Sequence, residues 1–196
     1  MQYPLNIRFK IIALASQISV TDASGAEVFY VQQKMFKLKE NIDIYRDSTK
    51  SQVLFTIKAD KVLDFSPTYT LSDANGTAVG TITRQGARSI WKASYDLQLS
   101  SGMSAHVREA SAWVKVLDGF FGELPIIGLF SGYLFHPKYI VEDQNKLPIA
   151  TIEKKPAFLE GMFTLDSTNL SGLDEDSQHK AAALLMMVVL MERSRG

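Results

Sequence analysis

The sequence predicts a mainly β fold: a closed antiparallel barrel of about twelve strands around a central hydrophobic C-terminal α-helix. Three observations lead there. Residues 181 to 191, Ala-Ala-Ala-Leu-Leu-Met-Met-Val-Val-Leu-Met, form an apolar run with no polar interruption. A helical membrane span takes roughly 20 apolar residues, so a run near 11 reads as a core helix. A helix apolar on every face is buried on every face. The preceding chain reads as short β-rich runs separated by turn signals. About a dozen such runs approach the upper limit for an open sheet, and closure removes exposed edges.

The strands come in pairs around a recurrent turn. Gln17-Ile18-Ser19-Val20-Thr21 leads through Asp22-Ala23-Ser24-Gly25 to Glu27-Val28-Phe29-Tyr30-Val31. Tyr69-Thr70-Leu71 leads through Ser72-Asp73-Ala74-Asn75-Gly76 to Val79-Gly80-Thr81-Ile82-Thr83. Tyr139-Ile140-Val141 leads through Glu142-Asp143-Gln144-Asn145-Lys146 to Ile149-Ala150-Thr151-Ile152. A fourth copy without glycine runs from Ile42-Asp43-Ile44-Tyr45 through Asp47-Ser48-Thr49-Lys50 to Val53-Leu54-Phe55-Thr56-Ile57. Asp and Asn bond to their own backbone in turns, and Gly supplies positive φ without steric cost. Each copy therefore reads as a β-hairpin. Hairpin recurrence alone accounts for the pattern. The Asp73-Ala74-Asn75-Gly76 turn lacks the later glutamate of a calcium loop, so no metal site is expected.

A helical and apolar insertion is expected at about 109–135. From Glu109 to Phe121, Trp113, Val116, Leu117 and Phe120 follow i, i+3, i+4, i+7 spacing. The following stretch to Phe135 carries one charge, Glu123, while Gly122 and Pro125 would stop a continuous helix. The central helix is expected at about 174–192, near 28 Å long at about 1.5 Å per residue. Ser171-Gly172-Leu173-Asp174 has capping-box spacing, with the Ser171 oxygen as the expected cap. Asp174, Glu175 and Asp176 suit the positive end of the helix dipole. No linker or composition break divides the chain, so residues 1–196 are read as one domain.

Composition removes several function classes. The chain has 21 basic and 21 acidic residues, and this zero balance argues against a dedicated nucleic-acid binder. It has no cysteine, which excludes disulfides, thiolate metal sites and cysteine nucleophiles. No secretion signal is visible, so a cytoplasmic protein is the default expectation. No phosphate loop, dinucleotide fingerprint or nucleophile elbow is present, so no cofactor and no catalytic residue are assigned. His106, His136 and His179 are scattered without metal-ligand spacing and read as structural.

Two features could bind a partner. In Lys34-Met35-Phe36-Lys37-Leu38-Lys39, strand periodicity puts Lys37 and Lys39 on one face and Phe36 and Leu38 on the other. Arg8, Lys10, Lys58 and Lys61 would join them if the strands pair suitably. Such a patch would meet lipid phosphates, while the same residues on a plain surface are a solvated outer face. The second feature is the segment from Phe120 to Phe135. Exposed, it would touch a membrane or a protein through Phe120, Phe121, Ile126, Ile127, Leu129 and Phe130; buried, it is a lid on the barrel.

These pieces resemble the LURP-one-related family, within the tubby C-terminal-like group that includes phospholipid scramblases. The residues carrying the likeness are Ser16 to Asp22 with Gly25, Val28-Phe29-Tyr30-Val31, Lys34 to Leu38 and the terminal apolar helix. The block from Trp113 to Phe135, with Pro125 and Gly128, looks like a bacterial branch. The resemblance implies the twelve-stranded barrel around a helix, and phospholipid or phosphoinositide binding at the membrane periphery. It maps no lipid contact to an individual position, and the long proline-rich N-terminal stretch of scramblases is not seen here. Fold alone does not decide function. A non-enzymatic domain binding lipid or a protein partner is the leading expectation. A ligand-binding or enzymatic barrel with a site at its mouth, and a structural or regulatory interaction protein of unspecified oligomeric state, are the alternatives.

Overall fold

Inward-facing side chains alternate with outward-facing ones along each strand, and the inner set meets a helix apolar on all sides. The structure, a computed structural model, describes residues 1–12, 15–34, 41–60, 66–85, 93–110, 137–156, 161–167 and 169–193. The strands are β1 (Leu5–Ile12), β2 (Ala15–Thr21), β3 (Glu27–Lys34), β4 (Ile42–Tyr45), β5 (Val53–Ala59) and β6 (Thr68–Asp73). They continue as β7 (Ala78–Arg84), β8 (Ser94–Leu99), β9 (Ser104–Glu109), β10 (Lys138–Glu142), β11 (Pro148–Lys155) and β12 (Gly161–Ser167). A 3₁₀ turn at Leu170–Gly172 then leads into α1 (Glu175–Arg193).

Each strand pairs antiparallel with its sequence neighbours, and β12 pairs with β1 to close the barrel. The expected architecture is thus the observed one. Because the strands simply alternate direction, every connection belongs to one of two ends. The near end carries the β2–β3, β4–β5, β6–β7, β8–β9 and β10–β11 turns and the start of α1. The far end carries the other six connections.

The near-end turns explain the repeat seen in the sequence. Asp22 Oδ1 accepts the N–H groups of Ser24 at 2.9 Å and Ala26 at 3.1 Å. Asp73 Oδ1 does the same for Asn75 and Thr77, both at 2.9 Å. Asp143 Oδ1 does so for Asn145 at 2.8 Å and Leu147 at 2.9 Å. The fourth turn residue takes positive φ: 85° at Gly25, 82° at Gly76 and 62° at Lys146. In the copy without glycine, Lys50 takes this role at φ 57°, and its N–H donates to the Asp47 carbonyl at 3.1 Å. Beside each turn the register slips by one residue. This is a turn closed by a one-residue bulge. Bonding to Ser24, and to the backbone of Gln2, Ser24 and Ala26, holds the Asp22 carboxyl below the usual range despite some desolvation.

Residues 181–191 of α1 are all buried, none more than 6% exposed. They share one core cluster with the inward residues of the strands, among them Phe9, Phe29, Ile57, Tyr95 and Ile152. The helix begins at Glu175, one residue after the expected start, and its cap lies three residues beyond the one the capping-box spacing predicts. Ser171 lies in the 3₁₀ turn, and Asp174 is the cap, its Oδ1 accepting the Ser177 N–H at 2.9 Å. The Leu170 turn reverses the chain first, so the free N–H groups of the helix meet the nearer aspartate. Glu109 also departs from expectation. It closes β9 as an inward, buried strand residue. The rest of the expected insertion, 111–135, lies outside the described residues.

Candidate functional site

The far end holds the inner residues least expected of a barrel core. Tyr69, Arg84, Tyr95, Glu109 and Tyr139 point inward from β6 to β10 and are buried. Glu192, near the end of α1, accepts the Tyr95 hydroxyl and, at 3.4 Å, that of Tyr139. Burial first, and the Glu192 charge second, push both tyrosine hydroxyls far above their ordinary range. Arg84 is 7% exposed, and its Nε has no hydrogen-bond partner among the described residues. Its charge also suits the negative end of the helix dipole. On β12 and β1 to β5 the buried inward residues include the apolar Phe163, Phe9, Ile18, Val31, Ile42 and Ile57. Glu109 and Tyr139 stand at the strand ends bracketing 110–138, so the polar half of the mouth lies where that long connection leaves and returns.

Of the sequence-predicted binding residues, Lys34 ends β3 at the far end. Lys37, Lys39, Phe120, Phe121, Ile126, Ile127, Leu129 and Phe130 lie outside the described residues, as does Lys61. The strand ends flanking both segments nevertheless share the far rim. β3 ends at Lys34 and β4 begins at Ile42; β9 ends at Glu109 and β10 begins at Lys138. The expected companions of the lysine group do lie on one flank. Arg8 and Lys10 face outward from β1, and Lys58 from β5, each two strands from β3. Alternate strands are about 10 Å apart. Two carboxylates stand among them: Asp43 accepts the Thr56 hydroxyl at 3.0 Å, and Asp60 accepts that of Thr70 at 3.0 Å.

Two clefts lie elsewhere. One of about 560 Å³ opens at the near end between barrel and helix, with Asp22, Glu27, Arg46, Phe55, Glu175 and His179 in its lining. His179 Nδ1 donates to the Glu175 carbonyl at 2.7 Å, and the ring packs edge-on against Phe29. The other, about 400 Å³, lies on the outer wall across β8 to β10, with Leu97 and Ala105 in its floor. At its side His106 Nδ1 meets Asp96 Oδ1 at 2.7 Å, and His106 Nε2 meets Ser94 Oγ at 3.2 Å. Sequence reasoning passed over this chain because its members touch only through the β8–β9 register, which sets Asp96 opposite His106.

A family model described as LURP-one-related matches residues 27–162, more than two thirds of the chain. The chain belongs to the LURP-one-related family. The match distinguishes no branch, and membership is consistent with a non-enzymatic binding domain. Comparison with curated proteins and with solved structures returns no match. Among the described residues of this LURP-one-related protein, no helix is long and apolar enough to cross a membrane.

Proposed function

We propose that this LURP-one-related protein is a binding domain that meets anionic phospholipid with its far rim, as a cytoplasmic protein peripheral at the membrane. The observation that supports this reading is the shared rim. Both segments expected to bind, the Lys34–Lys39 run and the Phe120–Phe130 run, are tethered to strand ends at that end of the barrel. The lysines would contact phosphate, and the apolar side chains of Phe120, Phe121, Ile126, Ile127, Leu129 and Phe130 would enter the interface. Arg8, Lys10 and Lys58 extend the cationic flank below. Each Lys or Arg near an anionic surface contributes about 1 kcal/mol, and that attraction weakens with salt.

Co-sedimentation with vesicles tests it. At low salt the protein is expected to pellet with vesicles containing phosphatidylserine or phosphoinositide, and to stay in solution with purely phosphatidylcholine vesicles. Replacing Lys34, Lys37 and Lys39 by alanine together removes about 3 kcal/mol and weakens binding on the order of a hundredfold. Failure of anionic vesicles to recruit the unmodified protein at low salt defeats the lipid reading and leaves a protein partner in its place.

A further inference from the structure

The outer wall carries an arrangement that the rim does not use. Ser94 and Asp96 lie two apart on β8 and so share its outer face. His106 on β9 stands opposite Asp96, and Arg108 stands opposite Ser94. The hydrogen bonds run Ser94 Oγ to His106 Nε2 at 3.2 Å and His106 Nδ1 to Asp96 Oδ1 at 2.7 Å. A carboxylate can only accept, so the Asp96 contact places the imidazole proton on Nδ1 and leaves Nε2 to accept from the serine. Gln85 Nε2 donates to the other oxygen of Asp96 and fixes the carboxylate from its far side. Glu142 in turn holds Arg108 through Nε at 2.9 Å and Nη2 at 2.6 Å.

We propose that Ser94 is a nucleophile activated by His106 and Asp96, and that small activated carboxylic esters acylate it. The roles are those of a nucleophile, its base and the group that orients the base, recognised by geometry and not by order along the chain. The acyl group would extend into the adjoining cleft, past the outward Gln98 and Ser104. Ser94 Oγ attacks the ester carbonyl carbon while its proton passes to His106 Nε2. The developing oxyanion is left to solvent, because the Arg108 guanidinium is held by Glu142 on β10, on the far side of β9 from Ser94. The carbon–oxygen bond to the leaving group then breaks, and the alkoxide departs with the proton from His106. Water, deprotonated by His106, attacks the acyl-serine; the carboxylic acid leaves and Ser94 recovers its proton.

The His106 and Asp96 side chains are 42% and 48% exposed. Water therefore weakens the electrostatic assistance, and turnover is expected to be slow compared with a buried triad. The site is independent of lipid binding at the rim, so either proposal can fail alone.

The test uses the full chain with a fluorophosphonate probe, followed by peptide mass spectrometry, and with p-nitrophenyl acetate for acylation rate. The expected label is on Ser94 and disappears in Ser94→Ala. His106→Ala is expected to slow labelling on the order of a hundredfold or more. Asp96→Asn is expected to slow it as well, with Ser94 still present. Ser101→Ala, in the β8–β9 turn, serves as the control and labels like the unmodified protein. Melting curves identify any variant that is not folded, and intact Asp96→Asn then replaces a failed His106→Ala. No label on Ser94 in the unmodified protein overturns the proposal, as does labelling that is equally fast in folded His106→Ala.

Discussion

A chain ended after Lys180 is expected not to fold. The deletion removes residues 181–191, every one of them buried inside the barrel. The eight large side chains from 184 to 191 each contribute roughly 1.5–3 kcal/mol when buried, roughly 12–24 kcal/mol together. Net domain stability is about 5–15 kcal/mol. No rearrangement of the strands recovers this loss, because their inward residues would line an empty tube. Phe9, Phe29, Ile57, Leu71, Ile82 and Ile152 would face water or collapse onto each other without the ladder register that closure requires. Circular dichroism and thermal melting of the truncated chain provide the check. A soluble truncation that melts cooperatively would show that the helix is not the centre of the fold.

Gly80→Val is expected to lower stability by about 1–3 kcal/mol, a drop in Tm of roughly 2–12 °C for a chain of this size. The cause is the distance between β7 and the helix. A Cβ at Gly80 would lie 2.9 Å from the Gln98 carbonyl oxygen, 2.9 Å from Leu184 Cδ1 and 3.0 Å from Leu99 Cδ2. The carbonyl belongs to the β7–β8 ladder, where Gly80 pairs with Leu99, and has little freedom to move. Only a residue without a side chain lets strand and helix approach this closely. Leu184→Ala by itself should cost about 2–5 kcal/mol by leaving a cavity. In the double variant the valine occupies part of that space, so the two losses should sum to more than the combined loss. The carbonyl clash remains, and rescue is therefore partial. Additive losses in the cycle would separate Gly80 from Leu184. A Gly80→Val protein with unchanged Tm would contradict the contact altogether.

The barrel was legible because its elements announce themselves locally. Asp22, Asp73 and Asp143 each start a turn whose aspartate caps two backbone N–H groups, so turn chemistry and strand alternation agree at these three near-end hairpins. The apolar run from Ala181 to Met191 has no exposed face to satisfy, and its length excludes a bilayer. Errors arose where two local signals compete. Ser171 and Asp174 are both good caps, and the choice between them depends on the 3₁₀ turn at Leu170–Gly172. Glu109 precedes a helical spacing, yet it continues the inward alternation of Ala105 and Val107 and belongs to the strand.

The polar side chains were much harder to place. Arg84, Glu109 and Glu192 are far apart in sequence, and only the closed barrel brings their elements to one mouth. Ser94, Asp96 and His106 carry no motif spacing. Their contacts exist because β8 and β9 pair in one register, and a shift of one residue would turn His106 inward. Arg8 and Lys10 on β1 and Lys58 on β5 face outward two strands from β3, on either side of it. Which end of the barrel carries the strand ends flanking both expected binding segments follows from strand parity, a property of the whole topology.

Native-state amide hydrogen exchange of α1 tests the central claim most directly. If the barrel is built around the helix, the amides of residues 181–191 exchange only through global unfolding, and their protection equals the unfolding free energy measured with denaturant. On the proposed reading, adding anionic vesicles leaves that protection in place, since the membrane would meet the far rim and not the helix. Fast exchange of those amides in the folded protein, or their release from the barrel when vesicles bind, would contradict the account.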